Sequence, residues 1–455
     1  MEVVEMSKRT YRKGIEIGSY LITPLGIAAV VALVVVIALA ATMLLKPGSD
    51  RPVAATITPA PSIAPTEAPM TPEPTEAPVP TEAPTEAPTA IPSLRSATIR
   101  SLGEIAIETD LLNSAFDAET NTFDFSPMFS EISAAIGNAD YTVADVEGTL
   151  GDKSAMSGNG ATMRTPSALL TALKDCGVDM LTLANDHILD GSIEELNATM
   201  ANVTAAGMDY IGAATSQEER NTPVIKEING IKVGFLAYTE SVNGNESNLS
   251  AEQRQYAVSM ITNSNALEDV NRLRSAGADV IVAYVSWGEM LNRSITKSEQ
   301  AIAMALAQCG VDVIVGYNPH TIQPIGWLDA TLADGTAHRT LVICATGNML
   351  SNQRTQYFDC GVIFQFTIQE QSDGSFAIES PAYLPTYVWR STDTEHSTET
   401  ETVYRYRVMP ISQYVGNDNA RIPTGMDNQD YQYMAGVLAE IQGTLGTDVA
   451  KMISE

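Results

Sequence analysis

Eight short apolar runs, spaced by amphipathic stretches and glycine-containing connections, point this chain toward an alternating strand–helix fold. The candidate strands are Ala97–Leu102, Tyr141–Val146, Met180–Leu183, Ile231–Tyr238, Val280–Val285, Val311–Val315, Leu341–Ala345 and Val362–Ile368. Between them, Ser167–Cys176, Ile193–Ala206, Ala266–Ala276 and Ser298–Cys309 read as helices. A further strand is expected at Ala382–Arg390, a polar acidic loop at Ser391–Thr402, and a terminal amphipathic helix at Asp427–Gly446. With 44% hydrophobic residues over 455 positions, there is apolar surface enough for a large core. In α/β folds the chemistry gathers where strands end and loops begin.

Those strand ends are unusually rich in donors. Gly103-Glu104 closes the first strand and Asp145-Val146-Glu147 the second, and Asn185-Asp186-His187 runs on to Asp190-Gly191. Ser286-Trp287-Gly288-Glu289, Gly316-Tyr317-Asn318-Pro319-His320 and Gly347-Asn348 follow. Residues 173–187 and 306–320 echo one another: a helix end, Cys-Gly-Val-Asp, a buried strand, and a polar loop closing on His187 or His320. That layout claims two of the four histidines; His338 and His396 fall in polar stretches without an evident site. Carboxylates, a carboxamide and two imidazoles at successive strand ends suit a hard-to-borderline divalent ion such as Mn, Fe or Zn. Bland roles are open beside that one. His187 could be a capping or hydrogen-bonding residue, Asp190 before Gly191 reads as an N-cap or turn residue, and Asn348 could simply close a turn. Trp287 reads as a wall of the cleft, with stacking on a sugar or polymer as its functional version. Glu104 resists a bland reading, because a carboxylate ending a buried strand needs a partner. Pro319 would fix the loop that presents His320.

Upstream of this region the chain changes character twice. Leu21–Leu45 is a run of 25 residues without a charge, long enough at about 1.5 Å per residue to cross a hydrocarbon core of about 30 Å. Lys8, Arg9, Arg12 and Lys13 precede it, so the positive-inside rule predicts a cytoplasmic N-terminus and an outward-facing remainder. From Pro47 to Pro92 lie 13 of the 23 prolines, with TEAP repeated four times. Such a stretch favours extended polyproline II, a stalk able to hold the next domain on the order of 100 Å from the membrane. The expected organisation is a cytoplasmic segment 1–20, a transmembrane helix 21–45, a stalk 46–95, a domain 96–425 and a C-terminal helix and tail 426–455. From residue 95 onward, 20 Lys and Arg face 46 Asp and Glu, and this acidity excludes a general nucleic-acid binder. The cysteines, Cys176, Cys309, Cys344 and Cys360, show no CxxC spacing. They read as buried thiols, with a Cys344–Cys360 disulfide left open.

The order of these strand-end motifs resembles the CapA family of poly-γ-glutamate capsule biosynthesis proteins, whose pattern runs GD, NLE, NNHxxDxG, HWGxE, GHHPH and SxGN. The resemblance covers roughly Ala97 to Pro410 and implies a metallophosphatase-like α/β/β/α sandwich. Departures are several. Glu104 stands for an aspartate, Asp145 for the asparagine of NLE, and Asp186 for the second asparagine of NNH. Gly191 comes one residue early, Ser286 replaces the histidine of HWG, Met290 aligns with its glutamate, and of GHHPH only His320 among the histidines is kept.

The resemblance implies a divalent metal (Mn, Fe, Zn or Mg) held by Glu104, Glu147, Asp186, His187 and His320, with Asp186, His187 and His320 as catalytic groups. Asp145, Asn185, Ser286, Trp287, Asn318 and Asn348 would then be substrate or supporting contacts. Loss of imidazoles and gain of oxygen donors would shift preference toward Mn, Mg or Ca. The implied function is a part in making, anchoring or exporting poly-γ-glutamate or a related surface polymer, with polymer-synthase membrane subunits as further partners. Its rivals are an extracellular metallophosphoesterase and a non-catalytic scaffold that binds polymer or a partner. The domain's acidity disfavours holding poly-γ-glutamate without bridging cations.

Overall fold

The computed structural model describes residues 94–151, 157–158, 162–397, 402–416 and 420–453, together with the backbone of a short antiparallel pair, Ile15–Ile17 with Tyr20–Ile22. That pair belongs to a first unit, Met1–Ala87; everything below belongs to a second, Pro88–Glu455. Beyond Leu21 and Ile22, the expected membrane span lies outside the described residues, as does the stalk as far as residue 93. Among the described residues no helix is long and apolar enough to cross a membrane.

Two sheets carry the second unit. Strands β1 (Ser96–Ile105), β2 (Tyr141–Val146), β3 (Met180–Thr182) and β4 (Asp209–Ile211) run parallel to their neighbours. The chain then builds a separate sheet from β5 (Ile225–Ile228), β6 (Ile231–Thr239), β7 (Val280–Ser286), β8 (Val313–Tyr317), β9 (Ile322–Thr331) and β10 (Ala337–Thr346). Its order is β5-β6-β7-β8-β10-β9, with antiparallel edges around a parallel centre. The last strands return to the first sheet: β11 (Asn348–Leu350) pairs with β1, and β12 (Cys360–Glu370), β13 (Phe376–Asp393) and β14 (Val403–Pro410) extend it antiparallel beyond β1.

The period of two along a strand decides what each face meets. In β7, Val280, Val282 and Tyr284 enter the core shared with the first sheet, whereas Ile281, Ala283 and Val285 cluster with Val270, Leu273 and Leu306. Those last three belong to α3 (Asn263–Ser275) and α4 (Lys297–Cys309), which cover the outer face of the second sheet. Between the sheets Tyr284 Oη lies 3.1 Å from Ser101 Oγ, and Tyr141 of β2 stacks on Phe235 of β6 at 5.4 Å. The crossover helices α1 (Ala168–Asp175) and α2 (Ile193–Ala205) link β2, β3 and β4 and bury Leu170, Leu173, Leu196 and Met200. Each such fully buried aliphatic side chain stabilises the fold by roughly 1.5–3 kcal/mol. The layers run helix, sheet, sheet, helix, as expected.

Differences from expectation have local causes. β9 lies outside the expected strands because Pro324 and Gly326 interrupt its pattern; it forms a sheet edge, where proline is tolerated. The expected loop Ser391–Thr402 begins as strand, since β13 continues to Asp393. A final helix, α5, spans Asn428–Leu445 and is capped by Asp427, which accepts from Asp430 N at 2.8 Å. All four cysteines are free, so Cys344 and Cys360 do not pair.

Candidate metal centre

A register shift in the β1–β2 pairing falls between Ser101 and Glu104, and such irregularities re-aim side chains beside sites. Gly103 sits inside the shift because a Cβ there would lie 2.5 Å from the Gly347 carbonyl oxygen. Glu104 N donates to that same carbonyl at 2.8 Å, and the Glu104 side chain is fully buried. Its partners are backbone groups: Asn318 N donates to Oε2 at 2.8 Å and His320 N to Oε1 at 3.2 Å. The two N–H groups converge because Asn318 and His320 adopt left-handed φ values of 89° and 54°, uncommon for residues other than glycine. Pro319, between them, carries no N–H and has a fixed φ.

His320 is held from both ring nitrogens. Nδ1 lies 3.0 Å from Asn348 Oδ1 and Nε2 lies 3.2 Å from Glu147 Oε1. Asn348 Nδ2 donates to the Phe358 carbonyl at 2.8 Å and to the His320 carbonyl at 3.3 Å, so its oxygen must face the ring. Nδ1 therefore carries the proton, and Nε2 is left to Glu147 or an ion. Asn348 does more than close a turn: it sets the tautomer and angle of His320. Ligand atoms of Glu104, Glu147 and His320 all lie within 4.8 Å of one another.

Asp186 and His187 stand beside this close group and not within it, which divides the expected five-residue ligand set into three and two. His187 Nδ1 lies 2.6 Å from Asp190 Oδ2, and its Nε2 is 3.9 Å from Asp186 Oδ2. Asp190 also accepts from Met163 N at 2.7 Å. Of the bland readings, the capping ones are corrected, since Ser192 caps α2, accepting from Glu195 N at 3.3 Å, while His187 is a hydrogen-bonding residue that forms a dyad with Asp190.

Charge is poorly balanced here. Burial raises Glu104 and pushes Glu147 and Asp145 up to about 8, with neighbouring carboxylates adding to the effect. Burial opposes the charged form of His320, yet Glu147 and Glu104 lift it to about 10. Burial likewise opposes a charge on His187, and the hydrogen bond to Asp190 with the nearby Asp186 raises it to about 9. Asp145 receives the Thr182 hydroxyl on Oδ1, while its buried Oδ2 has no partner among the described residues. Such a pocket retains protons or takes up a cation.

The expected substrate or supporting residues take these places. Trp287 is buried, with 1% of its surface exposed; its Nε1 donates to the Cys344 carbonyl at 2.8 Å and its ring joins the α3–α4 core, while the residue also borders the cavity that Ser286 lines. Asn185 is fully occupied, donating to the Val146 carbonyl at 2.9 Å and accepting from Gly148 N at 3.3 Å, which ties the loop after β2. Asn318 spends its Nδ2 on the Trp287 and Gly288 carbonyls at 2.9 and 3.2 Å. Ser286 is buried and lines a polar cavity of about 240 Å³ next to Asp186 and Asn318. Glu240 and Asn243 also line it. Glu240, absent from the expected site residues, follows β6 immediately, a strand-end position of the kind that marks the others.

Sequence comparison matches residues 98–353 to the family described as Bacterial capsule synthesis protein PGA_cap. The chain is 24% identical over 210 residues to the capsule biosynthesis protein CapA of Bacillus anthracis, covering 45% of this chain and 50% of that one. It is 21% identical over 217 residues to the PGA biosynthesis protein CapA of Bacillus subtilis (strain 168), covering 48% and 54%. The chain thus spans about half the length of the curated relatives it matches. Among solved structures, the calcineurin-like phosphoesterase YfkN from Bacillus subtilis aligns over 78% of this chain and 99% of that one, at 14% identity and a TM-score of 0.38.

Proposed function

The chain belongs to the bacterial capsule synthesis protein family, and from that membership we propose that it acts at the cell surface in making, anchoring or exporting poly-γ-glutamate or a related polymer. The uncharged run Leu21–Leu45, with four basic residues ahead of it, supports a single-pass membrane anchor with the catalytic unit outside. Its partners are then the polymer, the membrane and polymer-synthase membrane subunits, and not nucleic acid.

The chemistry we propose is metal-assisted hydrolysis, and one observation carries it: Glu104, Glu147 and His320 present ligand atoms within 4.8 Å of one another in a buried, over-acidic pocket. Two carboxylates and an imidazole fit a hard-to-borderline divalent ion such as Mn, Fe, Zn or Mg, and they would hold it. When bound, such an ion polarises a substrate oxygen and makes water a competent nucleophile near neutral pH. The chain's own groups do the rest. Asn348 keeps Nδ1 of His320 protonated, which leaves Nε2, beside Glu147, as the nitrogen an ion would take, and the two backbone N–H groups fix Glu104. His187, with its Nδ1 tied to Asp190, holds a proton at neutral pH, which suits it to protonate a leaving group.

Metal content of the purified full chain by mass spectrometry tests this reading. We expect about one equivalent of a divalent ion, lost in Glu147→Ala and in His320→Ala. No metal after soaking in Mn, Fe, Zn, Mg or Ca overturns the hydrolytic reading in favour of a scaffold that only binds. Protease protection of residues 96–455 in intact cells would refute the outward orientation.

A further inference from the structure

The cavity beside the three-ligand group is walled by Asp186, Glu240, Ser241, Asn243, Ser286 and Asn318, and neither lysine nor arginine lines it. It adjoins the metal centre directly, because Asn318 N is bonded to Glu104. Trp287 and Met290 add apolar surface to the wall, and its polar side chains offer mostly acceptors. Asn243 Nδ2 is given to Asp186 Oδ2 at 3.1 Å, and Asn318 Nδ2 is given to two carbonyls, which leaves both carboxamide oxygens open. Both oxygens of Glu240 are occupied, by Gly288 N at 2.8 Å and the Ser298 hydroxyl at 2.6 Å. Ser286 is 4% exposed, and no partner for its hydroxyl is found among the described residues. One carboxylate oxygen, Asp186 Oδ1, is open.

We propose that this cavity is the specificity subsite of the centre and takes a primary ammonium group, so that the substrate is an amino-terminated, peptide-like chain and not a phosphate ester. This rests on the reading of the adjoining cluster as a hydrolytic metal centre. A phosphate dianion would lie against Asp186 and Glu240 with no lysine or arginine in the wall to meet it. A second divalent ion would find one open carboxylate oxygen, a hydroxyl and neutral amide oxygens, too few charged or imidazole donors to displace its water. An ammonium group brings three N–H donors and one positive charge, and matches the uncharged acceptors and the single open carboxylate.

The test separates the two layers. Propylammonium chloride is titrated into the metal-free full chain by calorimetry, with propionamide and inorganic phosphate as comparison probes. The Mn-loaded chain is then examined for paramagnetic broadening of the propylammonium methylene signals, and its metal is counted. The proposal expects binding of propylammonium in preference to both other probes, broadening in the Mn-loaded chain, and one ion per chain. Asp186→Asn and Ser286→Val should each weaken propylammonium about tenfold, the size of one lost charge-assisted hydrogen bond. Preference for phosphate overturns it, as does a second equivalent of metal that disappears in Ser286→Val. Absence of metal with propylammonium binding intact sinks the hydrolytic reading alone and leaves the subsite standing.

Discussion

Replacing Asn348 by alanine should damage the protein twice, and the two losses can be worked from its contacts. The side chain is fully buried and bonds the Phe358 carbonyl at 2.8 Å, the His320 ring at 3.0 Å and, more weakly, the His320 carbonyl at 3.3 Å. Two good hydrogen bonds are worth about 1 kcal/mol each net, and the buried Phe358 carbonyl stranded by the change adds about 1–2 kcal/mol. Asn348→Ala should therefore lower unfolding stability by about 3–4 kcal/mol, read from urea unfolding of the full chain at neutral pH. It also frees the His320 ring, and loss of such an orienting partner costs roughly 10–100-fold in metal affinity. Asn348→Asp separates the effects: its oxygen can still accept from Nδ1, so orientation survives while the donation to Phe358 is lost. The reasoning fails if Asn348→Ala binds Mn as tightly as the parent, or if its stability stays within 1 kcal/mol of the parent.

Gly103→Ala should cost at least 2 kcal/mol or abolish soluble expression, because the new methyl meets backbone oxygen and not a side chain that can move; thermal unfolding measures it. In the metal-free chain, NMR titration should find His187 protonating near pH 9, and Asp190→Asn should bring it down toward the ordinary 6.5. Because its folded value is raised, the stability this imidazole lends is complete below about pH 6.5 and gone once the pH has climbed past about 9. Asp269, buried against Arg220 at 2.7 and 3.0 Å and the Tyr238 hydroxyl at 2.7 Å, is instead held below the usual carboxylate range, burial being outweighed by its Arg220 partner. Its contribution is present above about pH 4 and is lost as the pH falls through the depressed value. Asp269→Asn should cost about 3 kcal/mol at pH 7 and flatten the acid limb of the stability profile.

Strand alternation and strand-end position made much of the fold and of the centre legible. Tyr141–Val146 is a strand with the expected bounds, since a buried parallel strand is apolar throughout and flanked by turn residues. Glu104, Glu147 and His320 were readable because each ends a buried strand or follows one closely, where an unpartnered charge is costly. What could not be read was the direction in which a loop side chain turns. Trp287 follows Ser286, the last residue of β7, and both border the cavity, yet the indole is drawn into the α3–α4 core by its bond to the Cys344 carbonyl from β10. Nor could sequence reveal that Glu104 is cradled by N–H groups more than 200 residues away, which depends on two left-handed residues flanking a proline.

Gly103, Gly316 and Gly347 are hemmed in by backbone atoms of neighbouring strands, Gly316 by the Cys344 carbonyl and Gly347 by Cys360 and Gly361. Side chains at 186, 286 and 318 instead border open volume. In a directed-evolution library the glycine positions would tolerate almost nothing, while the cavity positions would accept imidazole, carboxylate or hydroxyl on an unchanged frame. The frame thus behaves as a socket whose lining can be exchanged, and ion count and substrate charge become heritable settings that change without the fold having to be rediscovered.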